Sequence, residues 1–194
     1  MNTLKQYLKV LRWSLSGRPF PPPHLIKQRM ILDALSQYRP RIMVETGTLL
    51  GDMVEAMKGK FARIYSIEIS PELARKAQQR FAGDSRVRII ENDSAIGLRD
   101  LVPALPEPAL FWLDGHYSGG NTGKGEKETP IMEEIETILS SPLPHVMLVD
   151  DARCFGTEKD YPTLVEFKDF VHSRRPNARI FVKHDCIHVL PASQ

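Results

Sequence analysis

Two cysteines in 194 residues are too few for a disulfide framework, and Cys154 and Cys186 lack the paired spacing of a zinc site. Both are expected to be reduced packing residues. No window approaches the roughly 18 uninterrupted apolar residues of a membrane span. Lys5, Lys9 and Arg12 break up the segment before Pro19, which therefore has no signal-peptide core. The expected location is cytoplasmic. Acid is scarce at the front: residues 1–41 hold eight Lys or Arg against Asp33 alone, and the remainder holds eighteen against twenty-three acids. A formal net charge of +2 thus hides a basic front and a mildly acidic body. Beyond that front no basic patch is interleaved with aromatics, which argues against a nucleic-acid partner. Internal repeats are absent too.

What remains is the composition of an ordinary soluble domain, 42% hydrophobic and 26% charged, long enough to bury a sizeable core in one unit. Leu4, Leu8, Leu11 and Leu15 fall on one helical face, with Lys5, Lys9 and Arg12 off it. Such a helix is expected to pack on its own domain, although the same pattern describes one lying on an anionic membrane or meeting a partner or second copy. Pro19-Phe20-Pro21-Pro22-Pro23 is a stiff linker. It separates a front region, 1–23, from the main domain, 24–194.

From there the chain alternates. Apolar strand candidates lie at 42–44, 64–67, 87–90, 109–113 and 145–149, and helical patterns at 25–37, 51–58, 71–81, 94–101, 129–140 and 163–173. Strands alternating with helices imply right-handed crossovers, a mostly parallel sheet and helices on both faces. The last two apolar runs, 179–183 and 186–190, are separated only by His184-Asp185, which permits a hairpin but no crossover. The expected fold is therefore α/β: a Rossmann-like, mostly parallel seven-stranded sheet closed by a C-terminal antiparallel strand.

The most informative stretch is Ile42-Met43-Val44-Glu45-Thr46-Gly47-Thr48-Leu49-Leu50-Gly51. An apolar run that breaks into glycine lets the backbone turn tightly and approach a ligand. The G-x-G-x-x-G dinucleotide fingerprint is incomplete, because only Gly47 and Gly51 are present. Other polar residues stand at successive strand ends: Glu45, then Glu68, where a carboxylate can bond a ribose diol, then Asn92-Asp93-Ser94. Each has a structural alternative. Glu45 can bond the turn, Glu68 can cap the helix opened by Ser70-Pro71-Glu72, and Asp93 can be an N-cap.

Val44-Glu45-Thr46-Gly47-Thr48-x-x-Gly51, Tyr65-Ser66-Ile67-Glu68-Ile69-Ser70-Pro71-Glu72 and Asn92-Asp93-Ser94 resemble the first three motifs of class I S-adenosylmethionine-dependent methyltransferases. The resemblance covers roughly residues 25–190, and the terminal hairpin fits it. It implies that S-adenosyl-L-methionine is the cofactor. It further implies that Glu45, Thr46, Gly47, Thr48 and Gly51 form its methionyl cradle, that Glu68 holds the ribose, and that Asp93 with Ser94 flanks the adenine.

Two further strands end in acids, Leu113-Asp114-Gly115-His116 and Val149-Asp150-Asp151. Unpaired acids gathered in a cleft repel one another and need a counter-charge, which a hard cation such as Mg²⁺ supplies. The alternatives are that Asp150 caps its strand or pairs with Arg153, and that Asp114 bonds its glycine turn. These acids sharpen the resemblance toward macrocin-type metal-dependent O-methyltransferases, which act on sugar hydroxyls. That similarity implies Asp114, Asp150 and Asp151 as ligands of magnesium and a sugar or other small molecule as acceptor. The chain departs from that type at His116, where another acid is common. Methyl transfer to oxygen needs a deprotonated hydroxyl, so His116 is the first choice of base, with Asp114 beside it. The polar loop that follows, residues 117–128, holds four glycines and Lys124. Its spacing fails as a phosphate loop, and a mobile lid or acceptor clamp is expected.

Overall fold

The computed structural model describes residues 3–115 and 129–192. Helices α1 (Thr3–Leu15) and α2 (His24–Tyr38) precede β1 (Ile42–Thr46), α3 (Asp52–Met57), β2 (Arg63–Glu68), α4 (Pro71–Phe81), β3 (Val87–Glu91) and α5 (Ser94–Leu101). Then come β4 (Ala109–Leu113), α6 (Ile131–Ser140), β5 (Val146–Val149), α7 (Leu164–Arg174), β6 (Arg179–Lys183) and β7 (Cys186–Leu190). Short 3₁₀ turns lie at Val102–Ala104 and Ala152–Cys154.

The seven strands form one sheet in the order β3-β2-β1-β4-β5-β7-β6. β3 through β5 run parallel, and β7 is antiparallel to both β5 and β6. β1, β4 and β5 are buried at every residue, so their side chains feed two cores. On one face Ile31, Val54 and Phe81 from α2, α3 and α4 meet Met43, Leu110 and Leu148. On the other, Leu98, Ile135 and Phe167 from α5, α6 and α7 meet Val44, Phe111 and Met147. The expected mostly parallel sheet, with helices on both faces and an antiparallel strand at its end, is the one observed.

Local chemistry sets the boundaries. Ser70 caps α4 by accepting from the Leu73 amide, Pro71 fills the first turn, and Thr163 with Glu166 forms a capping box on α7. The fifth strand begins at Val146 rather than at residue 145, because the His145 ring accepts the Ala109 amide at 3.0 Å instead of extending the ladder. His184 and Asp185 turn the last hairpin with φ of 51° and 61°, the left-handed pair that suits the strand twist. Both cysteines are free and buried. Among the described residues no helix is long and apolar enough to cross a membrane.

The chain order reverses between β1 and β4, so the carboxyl ends of these strands flank the crevice where ligands enter such sheets. Gly47 turns there with φ 82°, and a Cβ on it would lie 2.3 Å from the Asp114 carbonyl oxygen. Its lack of a side chain is therefore demanded by the two strand ends meeting, in addition to any ligand.

Candidate active site

The cradle residues fall into two tiers. Glu45 is buried beneath the turn, where its carboxyl accepts a short hydrogen bond from Ser66, whose hydroxyl in turn lies 2.6 Å from that of Thr48. Burial raises the Glu45 pKa from 4.5 to about 8; the Ser66 bond opposes the rise, and Asp114 and Glu68 add to it. Glu45 thus props the turn through Ser66 and bonds none of its amides.

Glu68 forms the upper tier at the end of β2. One oxygen accepts from the Leu49 amide at 2.7 Å and the other from the Ser70 amide at 3.0 Å. A carboxylate has about four acceptor positions, so each oxygen keeps capacity for one more donor. The observed position ties the first two strand ends together; the helix cap itself is Ser70. Asp93 caps α5, accepting from Ala95 at 2.9 Å and Ile96 at 3.2 Å, which is its structural alternative. Gly51 turns into α3 with φ 76°, where a Cβ would strike Phe81 at 2.6 Å.

Thr46 and Ser94 share a neighbour that sequence reasoning missed. Glu134 of α6 is 1% exposed, and burial raises its pKa to about 7, a rise that the nearby Ser94 and Thr46 hydroxyls temper. It lies beneath Gly115, whose Cβ would come 3.2 Å from Thr46 Oγ1 and 3.3 Å from Glu134 Oε1. The available signal was a glutamate on the apolar stripe Ile131, Ile135, Ile138 of α6.

Asp114, Asp150 and Asp151 do converge: one carboxylate oxygen from each lies within 4.8 Å of the others. β4 and β5 are adjacent and parallel, which brings the acids to one edge. The cluster already contains cations, however. Lys27 of α2 forms a short ion pair with Asp150, lies 3.8 Å from Asp114 and sits 6.0 Å from the Trp112 ring centre. Burial tends to lower the Lys27 pKa, but Asp114 and Asp150 outweigh it and the net shift is upward. Burial followed by Asp114 pushes the Asp150 carboxyl up, and Lys27 pulls it back.

Arg153 pairs with Asp151 and not with Asp150, and it also clasps Asp185 of the β6–β7 turn. Asp151 itself adopts φ 57° at the 3₁₀ turn. Lys27 was not foreseen at the site, whereas Arg153 was foreseen as a partner of an acid, Asp150, other than the one it holds. Lys27 occupies the helical stripe continued by Met30, Ile31 and Ala34, so a lysine on a buried face was the legible clue. His116 and the glycine-rich loop with Lys124 lie outside the described residues.

The donor set suits a hard divalent ion, being all carboxylate oxygen, and Asp150 Oδ1 is buried with no hydrogen-bond partner among the described residues. Lys27 competes for the same oxygens. The spare acceptor positions on Glu68 could bond a vicinal diol.

No family model matches the chain. A 65-residue stretch is 35% identical to the ribosomal RNA small subunit methyltransferase A of Acidobacterium capsulatum, covering 34% of this chain and 23% of that protein. The chain therefore spans less than a quarter of that curated relative. Solved structures match over far more. An O-methyltransferase from Bacillus cereus, in complex with S-adenosylhomocysteine, superposes with a TM-score of 0.61 at 14% identity, covering 98% of this chain and 92% of that one. The O-methyltransferase of tomaymycin synthesis from Streptomyces achromogenes, in complex with S-adenosylmethionine, gives 0.60 at 16% identity over 100% and 92%. The N-methyltransferase NodS of Bradyrhizobium japonicum gives 0.56 at 15% identity over 87% and 96%. The chain thus has the Rossmann-like α/β fold of S-adenosylmethionine-dependent methyltransferases.

Proposed function

We propose that the protein is an S-adenosylmethionine-dependent O-methyltransferase acting on a hydroxyl of a sugar or another small molecule. The observation that carries the reading is Glu68: a buried carboxylate fixed by two backbone amides at the second strand end, beside the crevice formed by β1 and β4. Glu68 and the Glu45–Gly51 turn would hold S-adenosylmethionine, which when bound supplies an electrophilic methyl group. Both oxygens of Glu68 are pre-aimed, so little ordering is left for binding. Glu45, with a pKa of about 8, is largely neutral at pH 7 and adds no charge beneath the turn.

Asp114 is the most exposed acid of the cluster, at 28% of its side chain, which supports assigning it to the acceptor side. His116 follows it by two residues and is assigned as the base that takes the hydroxyl proton. Asp114, Asp150 and Asp151 would hold Mg²⁺, which when bound lowers the pKa of an acceptor hydroxyl. A second reading drops the metal, and the Lys27 ammonium among these acids favours it, since Lys27 already supplies a counter-charge.

Transfer of a labelled methyl group from S-adenosylmethionine to panels of sugars, sugar nucleotides, phenols and amines tests the reaction class. A methyl ether is the expected product, and products methylated only on nitrogen would overturn the O-methyl reading. His116→Ala should lower turnover by roughly a hundredfold or more while leaving S-adenosylhomocysteine affinity unchanged. Normal turnover would remove His116 from the mechanism.

A further inference from the structure

The leucine stripe of α1 faces solvent instead of the body of the protein. Leu4, Leu8, Leu11 and Leu15 are 65%, 50%, 55% and 80% exposed, and Tyr7 beside them is 58% exposed. At 100° per residue these side chains share one face, and Trp13 stands opposite. Trp13 is buried, donates its ring N–H to the Pro19 carbonyl at 2.7 Å and meets His184 edge-on at 5.8 Å. That contact sets the rotation of the helix and turns the leucines outward. Lys5, Lys9 and Arg12 are exposed along one flank of the stripe, and no acid occurs before Asp33. The packing of this face on the domain that its periodicity predicts is not what is found.

We propose that α1 is an interfacial anchor that docks the protein on an anionic membrane surface. Its 13 residues extend about 20 Å, short of the roughly 30 Å of a hydrocarbon core, so it lies in the interface and does not cross it. Apolar side chains enter the acyl boundary while the basic flank meets lipid phosphates and carboxylates. A second copy is the poorer occupant, because α1 packed on α1 brings Lys5, Lys9 and Arg12 together with no acid from the same segment to offset them. His184 adjoins Asp185, which holds Arg153 against Asp151. The anchor is therefore fixed at the same edge of the sheet as the acid cluster.

Flotation of the full chain with phosphatidylcholine vesicles, with and without phosphatidylserine, tests the docking. The anionic vesicles should bind roughly a hundredfold more tightly, as three basic residues near the surface imply, and high salt should release the protein. Leu8→Glu/Leu11→Glu should abolish binding, and Lys5→Glu/Lys9→Glu/Arg12→Glu should erase the lipid preference. All these side chains are exposed, so an unchanged circular dichroism spectrum and melting temperature are expected and serve as the check on folding. Absence of binding to either vesicle, equal binding by the leucine variant, or a solution dimer that the leucine variant dissociates while vesicles stay unbound would each overturn the proposal.

Discussion

Glu45 and Glu134 are carboxyls folded into places where their charged forms are disfavoured, with pKa values of about 8 and about 7. The consequence for stability follows from linkage. Each binds its proton more tightly in the folded chain, so its contribution is complete below the ordinary value of 4.5 and is lost as pH rises through the folded value. His145 and His188 act from the acid side, since burial lowers both to about 4 and their contribution is lost as pH falls through that range. Thermal unfolding should therefore show a maximum melting temperature at mildly acidic pH and a decline from about pH 6 to about pH 8, where the folded values of Glu134 and Glu45 are passed. Glu45→Gln keeps a partner for Ser66 and removes the titrating group, so its decline should be shallower; an unchanged slope would deny Glu45 that role. If the Lys27 ammonium competes for Asp114 and Asp150, Lys27→Met should bind Mn²⁺ about tenfold or more tightly than the unaltered protein by electron paramagnetic resonance. Asp151→Ala should bind it more weakly. Equal affinities in all three proteins would refute both the competition and the metal site.

At the scale of elements, the period of apolar residues located every strand and helix, because a strand buried on both faces reads as an uninterrupted run. Ala109–Leu113 is one such run, and its boundaries are those observed. What periodicity cannot supply is the rotation of an element or the destination of a long polar side chain. α1 shows the first limit: its stripe was plain, but Trp13 decided which way the stripe faces. Lys27 and Glu134 show the second, since each lies against a site residue distant in sequence and neither has a motif around it, and Arg153 shows it in part, because besides nearby Asp151 it also reaches Asp185 of the last hairpin. Asp93 was legible only as two alternatives, and the bonds observed for it are those of the helix cap. Gly47 joins both kinds of information, being a sequence landmark whose Cβ is excluded by Asp114 from another strand. Gly47→Ala combines a positive φ with that overlap and should cost roughly 2 kcal/mol or more in urea unfolding. Gly83→Ala, where a Cβ meets nothing within 4 Å, should change stability little. Similar losses for the two variants would contradict the close approach of β1 and β4.

Across the whole molecule, one edge of the sheet gathers the Gly47 turn, the carboxylate of Glu68, the acid cluster with Lys27 and Arg153, and the anchoring contact of α1. The opposite edge carries a separate cavity of about 370 Å³ lined by residues such as Leu143, His145, Arg175 and Pro191, away from these groups. The cofactor is the point on which the functional account turns, because the fold alone is compatible with other nucleotide ligands. Calorimetry of the full chain with S-adenosylhomocysteine, with NAD as the comparison, tests it most directly. One-to-one binding of S-adenosylhomocysteine, no heat with NAD, and at least about a tenfold loss of affinity in Glu68→Ala are predicted. Failure to bind S-adenosylhomocysteine, or binding that Glu68→Ala leaves untouched, would contradict the account.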